Sequence, residues 1–166
     1  MFLKRAGGVL CLSLLLSVPL SAATVSFLVI ETGLWEEEGR NEFSTLWESG
    51  LMDVFFESGH IVSNAPIMRL PVKPEGEFPE DARRDLDEAR EGGAEFFVLA
   101  LLDYTGSSAA GSRRHPGFIA LKLFRIDPYG LLFEEAYTGR VTASANEEFF
   151  NAKEAAQTII PHLWDR

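Results

Sequence analysis

Phe43, Leu46, Trp47, Gly50, Leu51, Val54 and Phe55 recur at the spacing i, i+3, i+4, i+7, i+8, i+11, i+12. That spacing is one stripe of a helix with 3.6 residues per turn, and Ser58-Gly59 supplies its C-terminal stop. Ahead of it, Val25 to Glu31 (VSFLVIE) is a β-branched and aromatic run that predicts a buried first strand. His60 to Ser63 predicts a short second strand. Between Asn64 and Pro79, Pro66, Pro71, Pro74 and Pro79 remove backbone donors and predict an extended connector. Pro79 suits a helix start, so Glu80 to Glu91 predicts a second helix with Ala82, Leu86 and Ala89 inward; Gly92-Gly93 ends it.

Glu95 to Tyr104 is apolar without alternation through Leu102, and a strand of that kind is covered on both faces. Phe118 to Ile126 and Leu131 to Val141 flank Asp127-Pro128-Tyr129-Gly130. Proline second and glycine fourth is type I turn chemistry, so the pair predicts a hairpin. Ser144-Ala145-Asn146-Glu147 is a capping box. It opens a last helix with Phe149, Phe150, Ala152, Ala156, Ile159, Ile160 and Leu163 inward, and Pro161 ends that helix. The order β-α-β-α-β-β-β-α predicts an α/β fold (α+β mixed sheet). About five strands form a mixed parallel and antiparallel sheet with helices on both faces, closing with a β-hairpin plus helix. No internal repeat or second core occurs, so residues 24–166 read as a single domain.

The first 23 residues belong to a different class. Lys4 and Arg5 precede a twelve-position run, Val9 to Leu20, broken only by Ser13, Ser17 and Pro19. Ser21-Ala22-Ala23 then places small residues at −3 and −1, the order of a secretory signal peptide cleaved before Thr24. The run falls short of the roughly 20 residues a membrane helix needs, so no integral membrane segment is expected after cleavage. Retention of residues 1–23 as an N-terminal anchor is the competing reading. Lipidation at Cys11 is disfavoured because Leu10, not a small residue, precedes it and the mostly apolar run continues to Leu20. With the only cysteine in the leader, the mature chain has no disulfide and no thiolate chemistry. The expected location is the periplasm.

Charge sharpens this reading. The 166 residues carry 25 Asp+Glu against 15 Lys+Arg, a net charge of −10. Cleavage removes Lys4 and Arg5 and no acid, which makes it −12. An acidic chain is poorly suited to neutralising phosphates, so no nucleic-acid partner is expected. A hydrophobic fraction of 46 % excludes intrinsic disorder.

Motifs for catalysis are missing. His60, His115 and His162 lack metal-ligand spacing, and Glu36-Glu37-Glu38 lacks the alternation of a calcium loop and reads as favouring a helix N-terminus. Ser107, Ser108 and Ser112 lie outside any G-x-S-x-G elbow, and no phosphate-binding glycine loop occurs. No metal, cofactor or catalytic residue is therefore assigned. Asp103-Tyr104 ends the buried strand, where ligand sites occur in open sheets, although a satisfied strand-end carboxylate is the simpler reading. Two candidate partner contacts stand out. Arg113-Arg114-His115 forms a basic tip in the Gly/Ser/Ala loop from Thr105 to Gly117, suited to an acidic partner. Trp35 beside the acidic run is the other, with burial against the first helix as its alternative.

Three segments together resemble the anticodon-binding-like periplasmic domain family of CsgG, the TolB N-terminal domain and LpoB. They are the helix ending in Ser58-Gly59 before a short strand, Ala89 to Leu102 (AREGGAEFFVLALL), and Ile119 to Arg140 (IALKLFRIDPYGLLFEEAYTGR). Ala89 to Leu102 is similar to the family's helix, "GAD" and apolar strand, with Glu95 standing where Asp is usual. The lipid-anchor cysteine of CsgG and any sequence able to form its membrane hairpins have no counterpart here, so the resemblance carries over only the soluble module. The resemblance implies a non-enzymatic envelope domain that binds another envelope protein or itself. The rival expectation is a periplasmic small-molecule binding protein with a cleft at the strand ends near Asp103.

Overall fold

The computed structural model describes residues 22–34, 41–105 and 115–164. The expected leader up to Ser21, Cys11, Trp35, Glu36 to Glu38, the three loop serines, Arg113 and Arg114 lie outside these residues.

β1 (Thr24–Thr32) is followed by α1 (Glu42–Glu57), the helix expected from the Phe43-to-Phe55 stripe. Asn41 caps α1, its side-chain oxygen accepting the Phe43 N–H at 2.9 Å. β2 (Ile61–Asn64) returns parallel to the first half of β1. The connector then departs from expectation. Met68–Leu70 forms β3, parallel to the second half of β1 with Ile30 opposite Met68, so the sheet has six strands rather than five. Pro66 and Pro71 bracket β3, and an edge position is where a sheet tolerates proline. Three residues are also too few for any periodicity to register.

A 3₁₀ turn, Glu80–Ala82, leads into α2 (Arg83–Glu91), and β4 (Phe96–Asp103) runs parallel to β1 in the centre. β5 (Phe118–Arg125) and β6 (Gly130–Thr138) form the expected hairpin, with a register shift at Leu123/Phe124. Its turn carries a cis Asp127–Pro128 bond where type I geometry was expected. The strand order is β2-β1-β4-β5-β6, with β3 beside β1. α3 (Ala145–Ile159) ends beside Pro161 as expected and passes into a 3₁₀ segment, Ile160–Trp164.

Alternate residues of the central strands build one apolar layer on each face of the single sheet, as the unbroken apolar run of β4 requires. Phe27, Val29, Val98, Ala100 and Leu102 face α1 and α3. Leu28, Ile30, Phe97, Leu99 and Leu101 face α2 and the connector, with Phe78 edge-on to Phe124 at 5.1 Å. Each fully buried large side chain contributes about 1.5–3 kcal/mol, and Trp47, Phe27, Phe55 and Phe97 are all at 0 % exposure.

α3 corrects one further expectation. Phe150 points outward at 59 % exposure, and the buried stripe is Glu148, Ala152, Ala155, Ala156, Ile159. Small alanines let α3 lie against α1 at Gly50, which leaves no room on that face for a phenylalanine.

Candidate functional site

The carboxyl ends of parallel strands β1 and β4 meet the N-terminal turns of α1 and α3, and a buried polar cluster gathers there. Glu148, on the first turn of α3, is 2 % exposed. Trp47 Nε1–H donates to its Oε1 at 2.7 Å, and Thr142 Oγ1–H donates to its Oε2 at 2.8 Å. His115 Nδ1 lies 3.2 Å from Thr142 Oγ1 and 3.9 Å from Glu148 Oε2. Thr142 spends its single hydroxyl proton on Glu148, and its backbone N–H donates to His115 Nδ1 at 3.5 Å. Phe43 covers the imidazole, ring centroids 4.4 Å apart. Beside them Tyr104 and Ser44 share a 3.0 Å hydroxyl bond. Burial pushes the Tyr104 phenol far up, and the charges of Glu31 and Glu148 add to this, so it stays neutral.

His115 therefore sits inside the molecule, 5 % exposed. It belongs to this cluster and is not an exposed contact of the loop tip. The backbone explains why. Gly139 N–H donates to Gly117 O at 3.1 Å, and a Cβ on Gly139 would overlap the Pro116 carbonyl. The glycine lets residues 115–117 run against the end of β6 and turns His115 inward. The expected contacts Trp35, Arg113 and Arg114 lie outside the described residues.

Asp103 is engaged as a strand-end carboxylate, its Oδ1 accepting from Thr32 Oγ1 at 3.0 Å and Thr105 N–H at 2.9 Å. Neither cavity described below is lined by it. His60, His115 and His162 do not meet, and among the described residues no three His, Cys, Asp or Glu side chains are placed to hold a metal ion.

A groove of about 370 Å³ opens between β6 and α3. Glu135, Tyr137 and Thr138 line it from β6, Asn151, Glu154 and Thr158 from α3, and Trp47 and Glu148 from its inner end. Thr158 Oγ1 donates to Glu135 at 3.0 Å across it. Burial, then Glu135 and Glu148, push the Tyr137 phenol up against the opposing pull of Arg140, so this side chain is a neutral donor. A second hollow of about 490 Å³ lies on the other face, between the connector and β4–β6. Lys122 crosses its rim, reaching the carbonyls of Gly76 and Glu77 and the carboxylate of Glu134.

The chain matches no family model and no curated protein. Similar solved structures exist. One is the PelC dodecamer from Paraburkholderia phytofirmans, 13 % identical over 85 % of this chain and 87 % of that chain, with a TM-score of 0.49. Another is protein XCC0632 from Xanthomonas campestris, 10 % identical over 87 % of each chain, TM-score 0.43. A third is TolB from Acinetobacter baumannii, 10 % identical over 86 % of this chain but 29 % of that one, TM-score 0.42. TolB is thus among both the resemblances and the similar structures. Likeness at this level assigns neither family nor activity.

Sequence reasoning missed Glu148, taking Glu147 as the functional member of the capping box. Glu147 does serve the helix start: its carboxylate accepts Ala143 N–H at 2.7 Å, while Ser144 Oγ accepts Glu147 N–H at 3.2 Å. The available signal was positional. Glu148 heads the i, i+4, i+7, i+8, i+11 stripe completed by Ala152, Ala155, Ala156 and Ile159. A carboxylate in line with buried positions is a marker for a polar site.

Proposed function

We propose that this chain is an exported, non-enzymatic protein-interaction domain of the bacterial cell envelope, receiving its partner along the β6–α3 groove. One observation carries this reading. Among the described residues β6 pairs with β5 on one side only, and an open groove walled by α3 runs beside it. An edge strand next to a helix-walled groove can take main-chain hydrogen bonds and side chains from one partner segment together. The export leader read from residues 1–23 supports the location. Among the described residues no helix is long and apolar enough to cross a membrane.

The test is a photo-crosslinking amino acid placed at Asn151 in the full-length chain, expressed with its leader. A discrete adduct, with an envelope protein or with a second copy, is the expected result, and the same probe at the outward Arg84 on α2 gives none. Equal labelling at both positions counts against the reading. The alternative reading is a small-molecule site in the same groove, favoured by its volume, which falls within the usual pocket range of about 300–1,000 Å³. A compound that raises the melting temperature and blocks the Asn151 adduct would select it.

A further inference from the structure

Glu148 is almost completely buried, yet it lines the inner end of a groove that opens to solvent. Its two hydrogen-bond donors, Trp47 and Thr142, are neutral. The nearest cationic candidate is His115, 3.9 Å away, which reaches it through Thr142. A buried carboxylate is costly unless a cation compensates it. The groove adds to this charge. Glu135 and Glu154 stand on its walls, so three carboxylates face Arg140. The complementary occupant is positively charged.

The strand beside the groove narrows the choice. Glu134-Glu135 lies at the middle of β6. Two copies pairing antiparallel through this edge would set those glutamates against each other, a destabilising arrangement. A basic strand meets the opposite situation.

From these observations, and resting on the interaction reading above, we infer that the partner adds an extended segment to the β6 edge. This segment projects a lysine or arginine side chain into the groove toward Glu148.

The probe is a capped nine-residue peptide of alternating threonine and valine with lysine at its centre, compared with versions carrying glutamine or glutamate there. Binding is followed by amide chemical shifts and hydrogen exchange of the isotope-labelled full chain. The lysine peptide is expected to bind at least about tenfold more tightly than the glutamine peptide, and the glutamate peptide weakest. Binding should slow exchange of β6 amides, and N-methylation of alternate peptide bonds should abolish it. Glu148→Gln should remove most of the lysine preference; Glu154→Gln, at the exposed wall, should reduce it without touching the buried cluster. Equal affinity for lysine and glutamine peptides overturns the inference, as does binding without protection of β6. Full competition by n-butylamine, a free cation that cannot pair with a strand, also overturns it. If any of these occurs while the Asn151 adduct persists, the interaction reading stands and this inference falls; loss of the adduct removes both.

Discussion

Adding one methyl group at Gly50 tests the close approach of α1 and α3 on which the polar cluster depends. A Cβ at this position would stand 2.7 Å from Ala152 Cβ and 3.3 Å from both Lys153 N and Phe149 O. At an open helix position, Gly→Ala stabilises by about 1 kcal/mol. Overpacking of a tight contact costs about 1–3 kcal/mol. The outcome depends on whether α3 can move away, and two contacts hold it. Trp47 donates to Glu148 at 2.7 Å one turn before the contact, and Lys153 bonds Asp53 at 2.6 Å just beyond it. With α3 held at both places the clash wins, and Gly50→Ala should destabilise by about 1–2 kcal/mol net. Ala152→Gly alone should cost a similar amount, from lost helix propensity and about 0.8 kcal/mol for the buried methyl group. The double variant restores the space, so its loss should fall below the sum by about 1–2 kcal/mol. Urea unfolding at constant m measures all three. If Gly50→Ala stabilises, or the two changes simply add, the helices do not touch there and the geometry around Glu148 is wrong.

Two further predictions concern buried groups outside the groove. Glu31 is 2 % exposed and its Oε1 is held by Arg69 through Nε at 2.8 Å; Arg69→Met should cost about 3 kcal/mol by leaving that carboxylate unpaired, and adding Glu31→Leu should recover most of it, as denaturant midpoints will show. His60 is buried, and that burial lowers its pKa below the ordinary 6.5. The unfolded chain then takes up the proton first, so stability is complete above about 6.5 and declines as pH falls toward the lowered native value. His60→Asn should flatten that part of the melting-temperature profile between pH 7.5 and 5; an unchanged slope refutes the assignment.

The elements were legible wherever a local signal and a tertiary demand coincided. The α1 stripe works both ways because its apolar positions are the ones the sheet covers. The unbroken run of β4 called for two covered faces, and α1 with α3 on one side and α2 on the other provide them. β3 escaped because Met68, Arg69 and Leu70 carry no pattern of their own; what makes them a strand is the free edge of β1, far earlier in the chain. Phe150 misled for a related reason. Hydrophobicity places phenylalanine inside, but the decisive constraint on α3 is the closeness of Gly50, which alanines satisfy and a ring does not.

The candidate site was the least legible part, and the cause is physical. Trp47, His115, Thr142 and Glu148 come from a helix, a loop end, a connector and another helix, and each alone has an ordinary local explanation. Trp47 belongs to an apolar stripe, His115 to a basic tripeptide, Thr142 to the short link between the hairpin and the last helix, and Glu148 to an acidic first turn. Only the crossing of α1 and α3 over the ends of β1 and β4 brings their polar atoms within bonding distance. The same crossing leaves α3 standing over β6 with a groove between them. A charged side chain is retained in such a place against the cost of its burial, about 1–3 kcal/mol for each hydrogen bond left unmade and more for an ion. Trp47 and Thr142 satisfy the hydrogen bonds of Glu148, but both are neutral donors. That buried carboxylate, beside a strand edge unpaired among the described residues, is why the proposed docking place is the groove rather than the strand-end aspartate.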